Sequence, residues 1–133
     1  MVEKIKESFE TGNGFMAKNE FKITKLTKDI CVMEIKNREE FLNPYGIVHG
    51  GILFGSADSA AGALACMSGK MPVTLNASMN YLSMCKGSKI IVEATILKQG
   101  NNIGYYNVNI YDEEKKLVAQ ANVNMYLKDY EKK

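Results

Sequence analysis

Asp58 is the residue whose surroundings point most directly to chemistry. It is the only formally charged residue in residues 41–69, which otherwise hold apolar, small and uncharged polar side chains. An ionised carboxylate that is removed from water without a partner is costly, and such groups often carry out catalysis. A carboxylate in this setting could serve as a general base or as a nucleophile. The alternative is that Asp58 faces solvent or caps nearby backbone groups.

The tripeptide His49-Gly50-Gly51 lies where a long helix is predicted to begin. Unpaired amide groups and the positive end of the helix dipole meet at such a position. Glycine lets a ligand approach the main chain there, and an oxyanion or carbonyl oxygen would suit the site. Alternatively, His49 is a capping or core residue. It lacks the additional ligands that a metal ion needs, so the sequence predicts no metal and no other cofactor.

The elements that would position these residues follow from composition and periodicity. Residues 49–67 have helical length and are mostly Ala, Gly, Ser, Ile and Leu. Each internal glycine costs a helix about 1 kcal/mol relative to alanine, so we expect a buried helix that a sheet approaches closely. Apolar and polar residues alternate in residues 73–81, which is typical of a half-buried antiparallel strand. The other predicted elements are a short helix at about residues 3–11 and strands near residues 20–26, 29–36, 88–98, 103–111 and 117–127.

Together these elements predict one α+β domain over residues 1–133. Its long helix would be followed by a four-stranded meander and preceded by two further strands. To bury the helix, the sheet has to curl around it.

A set of residues in the middle of the chain resembles the hotdog-fold acyl-CoA thioesterases of the phenylacetate-degradation type. The set comprises the run Asn43-Pro44-Tyr45-Gly46-Ile47-Val48-His49-Gly50-Gly51, then Asp58, then the strand end Met79-Asn80-Tyr81-Leu82. The resemblance extends over about residues 20–127. It implies a hotdog fold, an antiparallel sheet wrapped around one long helix, and hydrolysis of the thioester bond of an acyl-CoA.

The resemblance also assigns roles to single residues. Asp58 matches the carboxylate that activates or delivers the nucleophile. The Gly50 amide and the Asn43 side chain match the groups that bind the thioester carbonyl. Thr74 falls where relatives often place a hydroxyl near the attacking water.

Substrate contacts are expected nearby, at His49, Gly51 and Lys86. The chain departs from relatives at Ser83-Met84-Cys85-Lys86-Gly87 and at Asn101-Asn102, where many relatives carry Pro or basic residues. Lys86 and Lys89 are therefore the candidates to hold the phosphates of CoA. Surface lysines are most often simply solvated.

Gly50 and Asp58 are too far apart to serve one carbonyl within a single helix. Eight residues span about 12 Å along a straight helix, which exceeds the reach of an aspartate side chain. If both groups act on one thioester, Asp58 must come from a second copy of the chain. We therefore expect a two-fold homodimer with composite sites, and by resemblance a dimer of dimers.

Composition excludes several other classes of function. A formal net charge of +2 with Arg38 as the only arginine argues against binding nucleic acid. Residues 50–67 are too rich in polar and small residues to cross a membrane, and the charged start of the chain shows no secretory signal. Three cysteines without CxxC spacing fit reduced thiols in a cytoplasmic protein better than disulfides or zinc ligands.

Two other functions remain open at this point. The first is a non-catalytic acyl-CoA-binding or sensing module, against which the presence of Asp58 argues. The second is a hotdog dehydratase or hydratase, which would need a catalytic histidine placed for proton transfer. The acyl group and the choice between direct attack by Asp58 and activation of water are not determined by the sequence.

Overall fold

The computed structural model describes residues 1–130, in which three α-helices and six β-strands alternate with short connections. The helices are α1 (Val2–Glu10), α2 (Phe15–Lys18) and α3 (Gly50–Cys66), with a 3-10 helix at Glu39–Phe41. The strands are β1 (Phe21–Leu26), β2 (Ile30–Lys36), β3 (Met71–Tyr81), β4 (Lys89–Gln99), β5 (Ile103–Asp112) and β6 (Leu117–Lys128). Each predicted element is present within about two residues of its expected bounds. The sequence did not predict α2 or the 3-10 helix.

The six strands form one antiparallel sheet in the order β1-β2-β4-β5-β6-β3. The predicted four-stranded meander is therefore wrong in one respect. β3 pairs with β6, with Val73 opposite Tyr126, and it does not pair with β4, which lies between β2 and β5. The reason is the connection over residues 82–88, which is not a hairpin turn and carries the chain from one edge of the sheet to its interior.

Helix α3 lies against the concave face of this sheet and contacts all six strands. Its buried side chains are mostly small, including Ala57, Ala60 and Ala61, with Leu53 and Leu64 as larger anchors. Small side chains let the sheet approach the helix closely, which accounts for the many alanines of α3. The predicted α+β arrangement of a sheet around one helix is confirmed.

Strand β3 is an edge strand whose outer side has no partner strand among residues 1–130. The prediction that it is half-buried holds for Ala77 and Met79 but is wrong for Val73 and Leu75, which are 49% and 54% exposed. A β-bulge between Thr74 and Asn76 interrupts the pairing there. A bulge adds one residue to the strand and so breaks the alternation that the sequence pattern assumes.

The three cysteines are free; Cys31 and Cys85 are buried, and Cys66 is half-buried. Burial raises the pKa of the Cys31 thiol to about 12 and, with a smaller contribution from Asp112, that of Cys85 to about 11.

Within residues 1–130 no helix is long and apolar enough to cross a membrane. The extent of the single domain, residues 1–133, stays a prediction, and residues 131–133 lie outside those described.

Candidate active site

A compact loop holds Asn43 just before helix α3. The Oδ1 atom of Asn43 accepts hydrogen bonds from the backbone amides of Tyr45 (2.9 Å) and Ile47 (3.4 Å). Its backbone N–H donates to the Ile47 carbonyl at 2.8 Å, and Gly46 allows the turn by adopting a φ of 78°. These bonds fix the side-chain amide and use its oxygen. The Nδ2 group donates to no atom of the described residues, so it is the end that a ligand carbonyl can reach.

His49 caps the start of α3. Its Nδ1 atom accepts a hydrogen bond of 2.8 Å from the Gly51 amide, and its backbone is extended. An imidazole that accepts at Nδ1 carries its proton at Nε2 when neutral. The Gly51 N–H is thus occupied, while the Gly50 N–H has no acceptor in residues 1–130. The capping alternative for His49 is confirmed, and the substrate contacts of His49 and Gly51 stay predictions.

Tyr81 belongs to the strand end that carries the family resemblance, but the sequence reasoning assigned it no role. Its hydroxyl, at the end of β3, donates a 2.9 Å hydrogen bond to the carbonyl of Gly50. A Cβ atom added to Gly50 would lie only 3.2 Å from the Tyr81 ring. Gly50 therefore has a packing role in addition to any role toward a ligand. The available signal was the last apolar position of the alternating pattern, which places Tyr81 on the same face of β3 as Met79.

Asp58 and Thr74 form the second part of the site. Thr74 Oγ1 donates a 2.6 Å hydrogen bond to Asp58 Oδ1, linking the middle of α3 to β3. Asp58 is half-buried, and Thr74 lies beside the β-bulge. Bulges often redirect side chains next to active sites. The bond holds one carboxylate oxygen in place and leaves Oδ2 available to a water molecule or a substrate.

The structure does not bring these two parts together within one chain. Asn43, Gly50 and Tyr81 line a cavity of about 420 Å³, whereas Asp58 and Thr74 line a different cavity of about 320 Å³. Because Gly50 and Asp58 both belong to α3, their backbones lie about 12 Å apart along its axis. Each chain thus carries two halves of a potential site.

Lys86 lines a cavity of about 660 Å³, which shares Leu82, Ser83 and Met84 with the cavity beside Gly50. Acidic side chains surround it together with one further lysine; these are Asp112, Glu113, Glu114 and Lys116. The other candidate, Lys89, pairs with Glu34 at 3.5 Å. Among residues 1–130 no group of three or more His, Cys, Asp or Glu side chains could hold a metal ion.

An antiparallel sheet wrapped around one long helix is the hotdog fold that the resemblance predicted. The family model described as Thioesterase superfamily matches residues 45–119, and the chain belongs to this family. The predicted fold, family and enzyme class are therefore confirmed.

Relatives and solved structures agree with this assignment. Acyl-coenzyme A thioesterase 13 of Mus musculus is 33% identical over 104 residues, covering 75% of this chain and 73% of the mouse protein. A hypothetical thioesterase from Streptococcus pneumoniae, solved with coenzyme A, is 25% identical with a TM-score of 0.84 and covers 99% of this chain and all of its own. The PaaI protein of the E. coli phenylacetic acid degradation operon is 19% identical with a TM-score of 0.88 over 95% of this chain and 92% of its own. At that identity, the last likeness concerns the fold.

Proposed function

We propose that this protein hydrolyses the thioester bond of an acyl-CoA, releasing the free acid and CoA. The hydrogen bond between Thr74 and the half-buried Asp58 carries the proposal, because it supplies an oriented carboxylate beside a cavity. The mouse relative named acyl-coenzyme A thioesterase and the Streptococcus pneumoniae structure with coenzyme A support the same substrate class. A cytoplasmic location fits the free thiols, which persist where the surroundings are reducing.

A pattern in other structures supports the pairing of Asp58 with Thr74. The Streptococcus pneumoniae thioesterase has also been solved with an aspartate and, separately, a threonine replaced by alanine, at positions 16 residues apart. Asp58 and Thr74 have the same separation of 16 residues. These two positions were thus chosen for study in a protein 28% identical to this chain.

In the proposed reaction the Asp58 carboxylate promotes attack on the thioester carbonyl carbon. As a general base, Asp58 accepts a proton from water while the water oxygen bonds to that carbon. As a nucleophile, its own oxygen bonds to the carbon, and water then hydrolyses the resulting anhydride. In both cases the carbon–sulfur bond breaks and the thiolate leaves with the electron pair. A thiol pKa of about 8.5 makes this departure possible without a strong general acid.

We propose that two hydrogen-bond donors at the start of α3 stabilise the negative charge that develops on the carbonyl oxygen. These are the Gly50 N–H, which has no acceptor in residues 1–130, and the Nδ2 group of Asn43. Tyr81 positions the first donor by holding the Gly50 carbonyl. We further propose that His49 contacts the substrate through its Nε2–H, and that the exposed Gly51 leaves room for the substrate to approach.

The two half-sites require a second subunit. We propose a homodimer in which the Asn43 and Gly50 donors of one chain face Asp58 and Thr74 of the other. The unpaired edge of β3 supports association, because it exposes backbone groups together with Val73 and Leu75. A two-fold axis would then create two identical composite sites. Assembly into a dimer of dimers stays a prediction.

Lys86 is the proposed contact to a CoA phosphate, and replacing it with alanine tests that role. We expect KM for an acyl-CoA to rise up to about five-fold at low salt with kcat unchanged, because an exposed ion pair contributes about 0.2–1 kcal/mol. The effect should shrink at high ionic strength, where exposed charges are screened. Lys28→Ala, in the turn between β1 and β2, is the matched control. Equal KM changes in both variants would refute the contact.

The function itself is tested by thiol release from a panel of short, medium and aryl-substituted acyl-CoAs. We expect turnover with at least one of these esters, and turnover about 10³-fold slower with the same esters after Asp58→Asn. A protein that binds the esters in calorimetry but releases no thiol would instead be an acyl-CoA-binding module. That outcome would overturn the proposal.

A further inference from the structure

The cavity beside Asp58 has an apolar wall with a polar end. Its volume is about 320 Å³, and it lies between α3, the N-terminal helices and strands β3 and β6. The apolar part includes Phe9, Met16, Met71, Pro72 and Met125. Asp58 and Thr74 line the same cavity, so a carbonyl carbon at the carboxylate has apolar space next to it. Methionine side chains are flexible and adapt to ligands of different outline.

Cys66 also lines this cavity, and its neutral thiol is compatible with an apolar interior. It is half-buried, and burial raises the pKa of its thiol, so the group stays neutral near pH 7. A neutral thiol behaves as a small apolar side chain. It also provides a chemical probe inside the cavity.

Gly62 is a lining residue that packing does not explain. It lies one turn after Asp58 on α3, on the same face of the helix. A Cβ atom added there would have one neighbour within 4 Å, the Met125 methyl at 3.6 Å, which is an ordinary contact. Gly55 differs, because a Cβ atom there would come within 3.0 Å of the Phe15 ring.

A glycine in the middle of a helix costs about 1 kcal/mol relative to alanine. At Gly62 no left-handed backbone and no close neighbour require that cost. What the missing side chain provides is room in the cavity beside the carboxylate.

We propose, resting on the proposed function, that this cavity holds the acyl group of the substrate and that Gly62 sets its maximum size. At about 30 Å³ for a water-sized group, the volume holds on the order of ten non-hydrogen atoms. The substrates are therefore apolar acyl groups of that size, either medium-length chains or short acyl groups that bear one aromatic ring.

The decisive experiment compares chain-length profiles of kcat/KM for the wild type and Gly62→Ala. One extra methyl in an apolar pocket changes specificity by about ten-fold or more. We expect Gly62→Ala to lose about that factor on decanoyl-CoA and on an aryl-substituted acyl-CoA, and less than about two-fold on butyryl-CoA. Its Tm should not fall, because alanine favours the helix. Gly14→Ala, which adds a methyl group in open space at a residue that does not line the cavity, is the control.

A second measurement does not depend on turnover. S-decyl-CoA, a thioether that cannot be hydrolysed, should slow alkylation of Cys66 by a small reagent, whereas CoA alone should not. Equal protection by both compounds would overturn the proposal. So would a Gly62→Ala profile that falls equally for all chain lengths. If the wild type hydrolyses no acyl-CoA while S-decyl-CoA still protects Cys66, the proposed function fails and the acyl site stands.

Discussion

Replacing Asp58 with asparagine is expected to lower kcat by about 10³-fold with little change in KM. General-base catalysis typically contributes about 10²–10⁴-fold, and an amide can neither accept the proton of water nor attack the thioester carbon. Asparagine keeps the shape of the side chain, and its oxygen can still accept the hydrogen bond from Thr74. The measurement is steady-state thiol release, with Tm recorded to show that the variant is folded.

Two further measurements sharpen this result. Thr74→Val, which removes only the hydroxyl that orients the carboxylate, should cost less than Asp58→Asn. If Asp58→Asn keeps more than a tenth of wild-type kcat, the carboxylate is not the catalytic group. Trapping of an acyl-enzyme anhydride with hydroxylamine, or ¹⁸O in the Asp58 carboxylate after one turnover in labelled water, would favour direct attack over activation of water.

Mixing two inactive variants is expected to restore activity through composite sites. Asn43→Ala removes a carbonyl donor, which typically costs about 10²–10³-fold in rate, and Asp58→Ala removes the carboxylate. A mixed dimer of these chains contains one intact site and one site that lacks both groups. With random assortment, half of the dimers are mixed, so about one quarter of wild-type activity should return.

A control distinguishes a failure of the two variants to form mixed dimers from the absence of a composite site. The two variants are co-expressed with different tags, mixed dimers are purified through both, and native mass spectrometry verifies their composition. Purified mixed dimers that show no more activity than the sum of the two parents would contradict the composite site. Co-expression of Asp58→Ala with Thr74→Val should not restore activity, because both substitutions affect the same half-site.

The sequence predicts the central helix and the local elements well, because their signals are local. Low charge and small residues mark α3, and alternation marks the strands. Strand order is different, since the position of β3 beside β6 depends on pairing between residues far apart in the chain. The bulge at Leu75 could not be predicted from the sequence either, because nothing in the alternating pattern marks an extra residue.

The candidate site divides in the same way. Asn43 and Asp58 lie in one continuous segment, so their spacing can be seen in the sequence, and the family resemblance identifies them as candidate site residues. The Tyr81 hydrogen bond to Gly50 and the partnership of Thr74 with Asp58 join distant segments and become visible only in the fold. For Asn43 and His49, the structure adds which atom is already used and which one is left for a ligand.

Strand β3 touches both halves of the site through two hydroxyl groups. Thr74 meets the carboxylate near one end of the strand, and Tyr81 meets the first peptide of α3 at the other. The strand therefore sets the positions of both hydroxyl groups relative to α3. Sliding β3 by one residue pair along β6 would withdraw both hydroxyls at once. Such a shift would therefore disturb the donor half and the carboxylate half together, although in the proposed dimer they serve different active sites.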